Sequence, residues 1–89
     1  MLICKQNIVR IEVEVGCFNP FYEDCKKHNE TGKGAHKVID ALEWEFNKDG
    51  QAVEFEKIRS KGFEFRCFNT STFGVQYFVE YHTKTSYYD

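Results

Sequence analysis

Between Val9 and Cys17 the chain alternates without a break. Val9, Ile11, Val13, Val15 and Cys17 share one side of an extended backbone, and Arg10, Glu12 and Glu14 share the other. Strand side chains point to opposite faces with a period of two, so this stretch is expected to form a strand with one face in a core and one in water. Such a sheet needs a second layer over its apolar face, and the rest of the chain must supply it. With 89 residues there is room for one core, which excludes an enzyme with separate cofactor and substrate lobes. Nine Phe, five Tyr and one Trp against a single Pro disfavour disorder and favour strand.

Asn19-Pro20 reads as a helix entry, an Asn cap followed by Pro at the first helical position. Glu23 and Asp24 then come early, with Lys26, Lys27 and His28 late, which suits a short helix of about two turns. Asn29 to Gly34, with Gly32 and Gly34 around Lys33, reads as a loop. A longer helix is expected from Ala35 to Lys48, where Ala35, Val38, Ile39, Leu42 and Phe46 form one apolar face. Asp49-Gly50 ends it. Trp44 falls on the far side of that wheel, near Lys37, Ala41 and Lys48.

Three strands are predicted next, over about Ala52–Ile58, Gly62–Asn69 and Phe73–Thr83, with turns at Arg59-Ser60-Lys61 and Thr70-Ser71-Thr72. Val53, Phe55, Phe63, Phe65, Cys67, Val75, Tyr77 and Val79 share the parity that would cover the long helix. The expectation is a single α+β domain over residues 1–89. It has two layers: strand, short helix, long helix and a three-stranded antiparallel meander, with the helix packed on one sheet face. The tail from Lys84, with Tyr87 and Tyr88, either extends the last strand or docks on a neighbour.

The opening MLICKQN lacks the apolar core of a secretory signal, and no run approaches the ~20 apolar residues of a membrane span. A cytoplasmic protein without a membrane partner is therefore expected. In that compartment the four cysteines, Cys4, Cys17, Cys25 and Cys67, should be free thiols. A formal net charge of −2 predicts neither uniform attraction to nucleic acid nor the field of a whole-molecule DNA mimic.

Two surfaces stand out. On the face away from the core the pattern places Arg10, Glu12, Glu14, Glu54, Glu56, Glu64, Arg66, Glu80 and His82, with Phe68 and Phe78 among them. The plain reading is a solvated sheet face with cross-strand Arg–Glu pairs; the sharper one is a protein-binding face with Phe anchors in an acidic rim, suited to a basic partner. Trp44, pointing away from the core, is a further candidate anchor, for a target or for a homodimer. Basic residues gather elsewhere: Lys26, Lys27, His28, Lys33, His36 and Lys37 around the glycine loop, and Lys57, Arg59 and Lys61 around the expected hairpin tip. These are either ordinary solvated loops or a grip on RNA phosphates, with Tyr22 or Trp44 near enough in sequence to stack on a base.

Cys17, Cys25, His28 and His36 form C-x7-C-x2-H-x7-H. These residue types suit zinc, but the spacing lacks the tight pair that opens structural zinc sites, so no metal and no cofactor are expected. Cys25 and His28 sit three apart as a nucleophile and base would, without a third orienting group. Gly32-Lys33-Gly34 lacks the other landmarks of a phosphate-binding loop.

Lys61-Gly62-Phe63-Glu64-Phe65-Arg66-Cys67-Phe68 resembles the third-strand signature of the RNA-recognition motif at its Lys-Gly and its three Phe positions. That family turns the first two aromatics outward to stack on bases. Here that orientation would drive Glu64 and Arg66 into the core, so parity instead turns Phe63 and Phe65 inward. The chain as a whole is similar to the small phage-encoded accessory proteins that block a bacterial enzyme or defence system by binding. The resemblance rests on size, one aromatic-rich domain and the lack of a catalytic set. It implies a non-enzymatic inhibitor acting on a bacterial protein in the host cytoplasm, with RNA binding through the basic groups as the alternative.

Overall fold

The alternation at Val9–Val15 becomes the C-terminal half of a long strand, and the structure supplies its cover with helices. The computed structural model describes the backbone of residues 3–70 and 72–88, with side chains over 8–69 and 72–81. The elements are β1 (Ile3–Gly16), α1 (Tyr22–Thr31), α2 (Ala35–Lys48), α3 (Ala52–Lys61), β2 (Phe63–Thr70) and β3 (Gly74–Tyr88). The fold is α+β, three helices against a three-stranded antiparallel sheet of order β1-β3-β2.

Registers put like with like. Val15 faces Val75, Val13 faces Tyr77 and Ile11 faces Val79 between β1 and β3. On the other side of β3, Phe63 faces Tyr81, Phe65 faces Val79 and Cys67 faces Tyr77. All of these point to the helices. Val15, Val75, Tyr77 and Val79 are fully buried there with Cys25, Val38, Ala41, Leu42, Phe55 and Ile58. Phe63, Phe65 and Cys67 pack half-buried against that core, so the inward orientation expected for the two Phe side chains is the one observed. At the end of the sheet Gly74 is required by close approach, because a Cβ there would lie 2.5 Å from the Val15 carbonyl oxygen.

The expected first strand of the meander, Ala52–Ile58, is instead helix α3. Phe55 and Ile58 are both buried, at the i, i+3 spacing of a helix face, whereas Val53, which alternation would place beside Phe55, is 71% exposed. Gly50, at φ 74°, turns the chain straight from α2 into α3, and the Gln51 N–H donates to the Phe46 carbonyl at 2.7 Å. The hairpin expected at Arg59-Ser60-Lys61 is accordingly the last turn of α3. The meander reduces to the β2–β3 hairpin, and the N-terminal strand joins it on the far side of β3.

Asn19-Pro20 is a turn rather than the helix cap. The Phe21 N–H donates to Asn19 Oδ1 at 2.6 Å and the Tyr22 N–H to the Asn19 carbonyl at 3.0 Å, so α1 begins only after this turn closes. At its other end α1 runs through Asn29 to Thr31, and the expected loop shrinks to Gly32–Gly34. In α2 the inward face is wider than one stripe: Ala41 is fully buried while Ala35 is exposed. The reason is that α2 packs against both α1 and α3 as well as β1. Cys4, His82, Tyr87 and Tyr88 lie outside the residues whose side chains are described, as does Ser71 altogether.

Candidate functional site

No helix packs on the second face of the sheet among the described residues, and its layout follows from register. Arg10, Glu80 and Glu64 form one row across β1, β3 and β2; Glu12, Phe78 and Arg66 form the next; Glu14, Gln76 and Phe68 form the third. Phe68 is thus diagonal to Phe78, and the two rings stack with centroids 3.9 Å apart and planes 8° from parallel. Arg10 reaches across the top: its guanidinium lies 5.1 Å from the Phe78 centroid, and its Nε donates to Glu80 Oε1 at 2.8 Å. Both rings remain half-exposed.

The structure therefore brings together Glu12, Glu14, Glu64, Glu80, Phe68 and Phe78 as the sequence suggested, with Arg10 and Arg66. It removes Glu54 and Glu56, which ride on α3 in the helical layer; Glu54 accepts a hydrogen bond from the Tyr81 hydroxyl at 3.2 Å. Trp44 is also in the helical layer, half-buried, with Lys48 Nζ 5.2 Å from its ring centroid. Sequence reasoning missed Phe18 and Phe73, 96% and 73% exposed. They flank the end of the same sheet, where the Cys17 N–H donates to the Phe73 carbonyl at 3.0 Å. Their signal was present: Phe18 follows the last residue of the alternation and Phe73 precedes the last strand.

The basic residues divide. Lys27, Lys33 and Lys37 line a groove of about 480 Å³ at the α1–α2 turn with Asp24, Thr31 and Gly34, and Lys37 Nζ is 3.3 Å from Asp24 Oδ1. Lys26 is exposed on α1. Lys57, Arg59 and Lys61 belong to α3, and Arg59 pairs with Glu43 at 3.1 Å. The two groups ride on different elements, the α1–α2 turn and α3, and neither Tyr22 nor Trp44 lines the lysine groove.

The proposed zinc and nucleophile residues point in different directions. Cys17 and His36 are exposed, Cys25 is fully buried, and His28 Nδ1 lies 3.3 Å from the Tyr77 hydroxyl. No cluster of three or more His, Cys, Asp or Glu side chains suited to a metal occurs among the described residues. Burial, with the nearby Asp24 charge adding to it, pushes the Cys25 thiol up to about 12, so it is protonated at neutral pH and unsuited to nucleophilic attack. The Tyr77 hydroxyl donates to the Cys25 carbonyl at 2.9 Å, and Cys67 Sγ donates to Asn29 Oδ1. These bonds tie α1 to the sheet, and they satisfy buried polar atoms.

Among the described residues no helix is long and apolar enough to cross a membrane. Compared with protein-family models, curated proteins and solved structures, the chain matches none.

Proposed function

We propose that this is a non-enzymatic binding protein whose open sheet face docks on a basic surface of a partner protein. The observation that carries this reading is the stacked Phe68–Phe78 pair, half-exposed among Glu12, Glu14, Glu64 and Glu80. Aromatic rings on a face where four glutamates outnumber Arg10 and Arg66 supply both parts of a specific interface: apolar area to bury at the centre and net negative steering around it. The free protein also bears a cost that a cationic partner would relieve. Glu64 stands directly opposite Glu80, and like charges facing across strands are destabilising, a repulsion that the Arg10–Glu80 pair at 2.7 Å offsets only from the β1 side. Two copies meeting face to face would multiply that repulsion, so the face suits a different, basic protein better than a second copy. In keeping with the likeness to phage accessory proteins, the partner class we propose is a bacterial enzyme or defence protein that handles nucleic acid and is therefore positively charged.

The test is capture from bacterial lysate with and without nuclease, comparing the native chain with Phe78→Ser. Capture of a protein that survives nuclease and falls at least about tenfold in the variant supports the reading. Capture unchanged by Phe78→Ser refutes it. The second reading, RNA held by Lys27, Lys33 and Lys37, is favoured by the groove those side chains share. It requires capture that nuclease abolishes and a complex with single-stranded RNA that weakens steeply with salt.

A further inference from the structure

A second, separate binding feature lies along the outer side of β1. We infer that this strand edge, with the groove beside it, takes up an extended segment of a partner protein as an added strand. The order β1-β3-β2 leaves β1 at an edge over its whole length. The Cys17 N–H donates to the Phe73 carbonyl, and these residues continue the register in which Val15 faces Val75. Odd-numbered residues from Val9 onward therefore exchange bonds with β3, and the N–H and C=O of Arg10 and Glu12 point away from it, toward the edge. Long edge strands are rare unless guarded, because they template pairing with another chain.

Beside this edge the helical layer stands back. Two hollows, of about 150 and 590 Å³, share Ile11, Phe46 and Gln51 in their walls. Val13 extends the floor of the first, and Gly50 and the exposed Val53 that of the second. A strand added to β1 would send alternate side chains to each side of the sheet. Those on the helix side would enter the hollow, where Ile11, Phe46 and Val53 favour apolar groups. On the helix side the rim carries Glu45, Asp49 and Glu54 against Lys57, and on the open side of the same strand stand Glu12 and Glu14, so the added strand should be basic.

These features select one occupant: an extended peptide alternating aliphatic residues with Lys or Arg. A second copy of β1 suits this edge less well, since it would bring Glu12 and Glu14 with only Arg10 to a rim that already carries Glu45, Asp49 and Glu54. The feature is independent of the open-face reading, because it binds through the backbone at a different surface.

The experiment titrates the full chain with a capped peptide of about nine residues alternating valine and lysine, following backbone amide shifts. The expected result is saturation below about 1 mM, with shifts centred on Arg10–Val13 and Gly50–Val53. Methylating alternate backbone nitrogens of the peptide should weaken binding at least about tenfold, because it removes ladder donors. Val53→Lys should weaken it at least about threefold by charge and lost apolar contact. Glu12→Pro, which removes an edge N–H that β3 does not use, should weaken it as strongly as the methylated peptide does. Four results overturn the proposal: no saturation by about 1 mM, equal binding of the methylated peptide, shifts centred on Arg66, Phe68 and Phe78, or shifts of the β1 amides with protein concentration alone, which would assign the edge to a second copy.

Discussion

Replacing Asn19 by Ala should be among the most damaging single changes outside the apolar core. Asn19 is 5% exposed and Glu45 8%, and Asn19 Nδ2 donates to Glu45 Oε1 at 2.9 Å. The same side chain accepts the Phe21 N–H at 2.6 Å, so one amide both closes the β1–α1 turn and steadies a buried carboxylate on α2. Removing it deletes a neutral hydrogen bond of about 1 kcal/mol and one to a charged group of about 1.5–3 kcal/mol. The Lys48 ammonium, 3.2 Å from Glu45 Oε2, remains and offsets part of the loss. A net cost of about 2–3 kcal/mol follows, roughly 10–20 °C in melting temperature for a chain of this size. Urea unfolding followed by far-UV circular dichroism and Trp44 fluorescence would measure it. Asn19→Asp sharpens the test: it keeps the acceptor for Phe21 but sets a second carboxylate against Glu45. It should be at least as destabilising at neutral pH as Asn19→Ala. A cost below about 0.5 kcal/mol for Asn19→Ala would refute the reasoning.

Alkaline pH should destabilise the fold through Cys25. Its thiol ionises near 9.0 when unfolded but is held up to about 12 when folded, so the unfolded state loses its proton first. Stability is then intact below pH 9 and declines as pH rises toward 12, by at most about 1.4 kcal/mol per pH unit. Cys25→Ala should lessen that decline in urea titrations just above pH 9, while the part due to the buried Tyr77 hydroxyl, which burial also holds protonated, remains at higher pH. In thiol labelling at neutral pH, exposed Cys17 should react readily and Cys25 only at the rate of unfolding, as mass mapping of the labelled sites would show. Trp44→Ala should lower stability by about 1–2 kcal/mol through lost packing and the Lys48 contact, while leaving lysate capture by the sheet face unchanged.

Periodicity made β1, α2, β2 and β3 legible because each carries an apolar face long enough to favour one period over the other. Ala52–Ile58 did not: Val53 and Phe55 fit a strand, and only Ile58, on the wrong parity for that strand, marks the helix. That misreading carried Glu54 and Glu56 onto the sheet. Asn19 shows a different limit, since Asn before Pro satisfies the local rule for a cap and its buried partner Glu45 is remote in sequence. The composition of the open face could be read from strand parity alone. Its pattern could not, because the stacking of Phe68 on Phe78 depends on the hairpin register, and the row Arg10–Glu80–Glu64 depends on β3 lying between β1 and β2.

That central place of β3 governs how the molecule can assemble. β1 and β2 touch each other only through it, so neither strand has a partner until β3 has been inserted between them. Pairing Gly16 with Gly74 closes a loop holding all three helices, an entropic step that local contacts do not reward. Because β2 and β3 are joined by a short turn, their hairpin can close locally, and folding should pass through a stage in which β1 waits with both edges bare and β3 with one. Arg10, Glu12, Glu14, Glu64 and Arg66 interrupt the apolar residues of β1 and β2 at every second position, as gatekeepers against aggregation do. The charges that face solvent in the finished sheet thus have an earlier task, keeping β1 and the open hairpin apart from the strands of neighbouring chains until β1 and β3 meet.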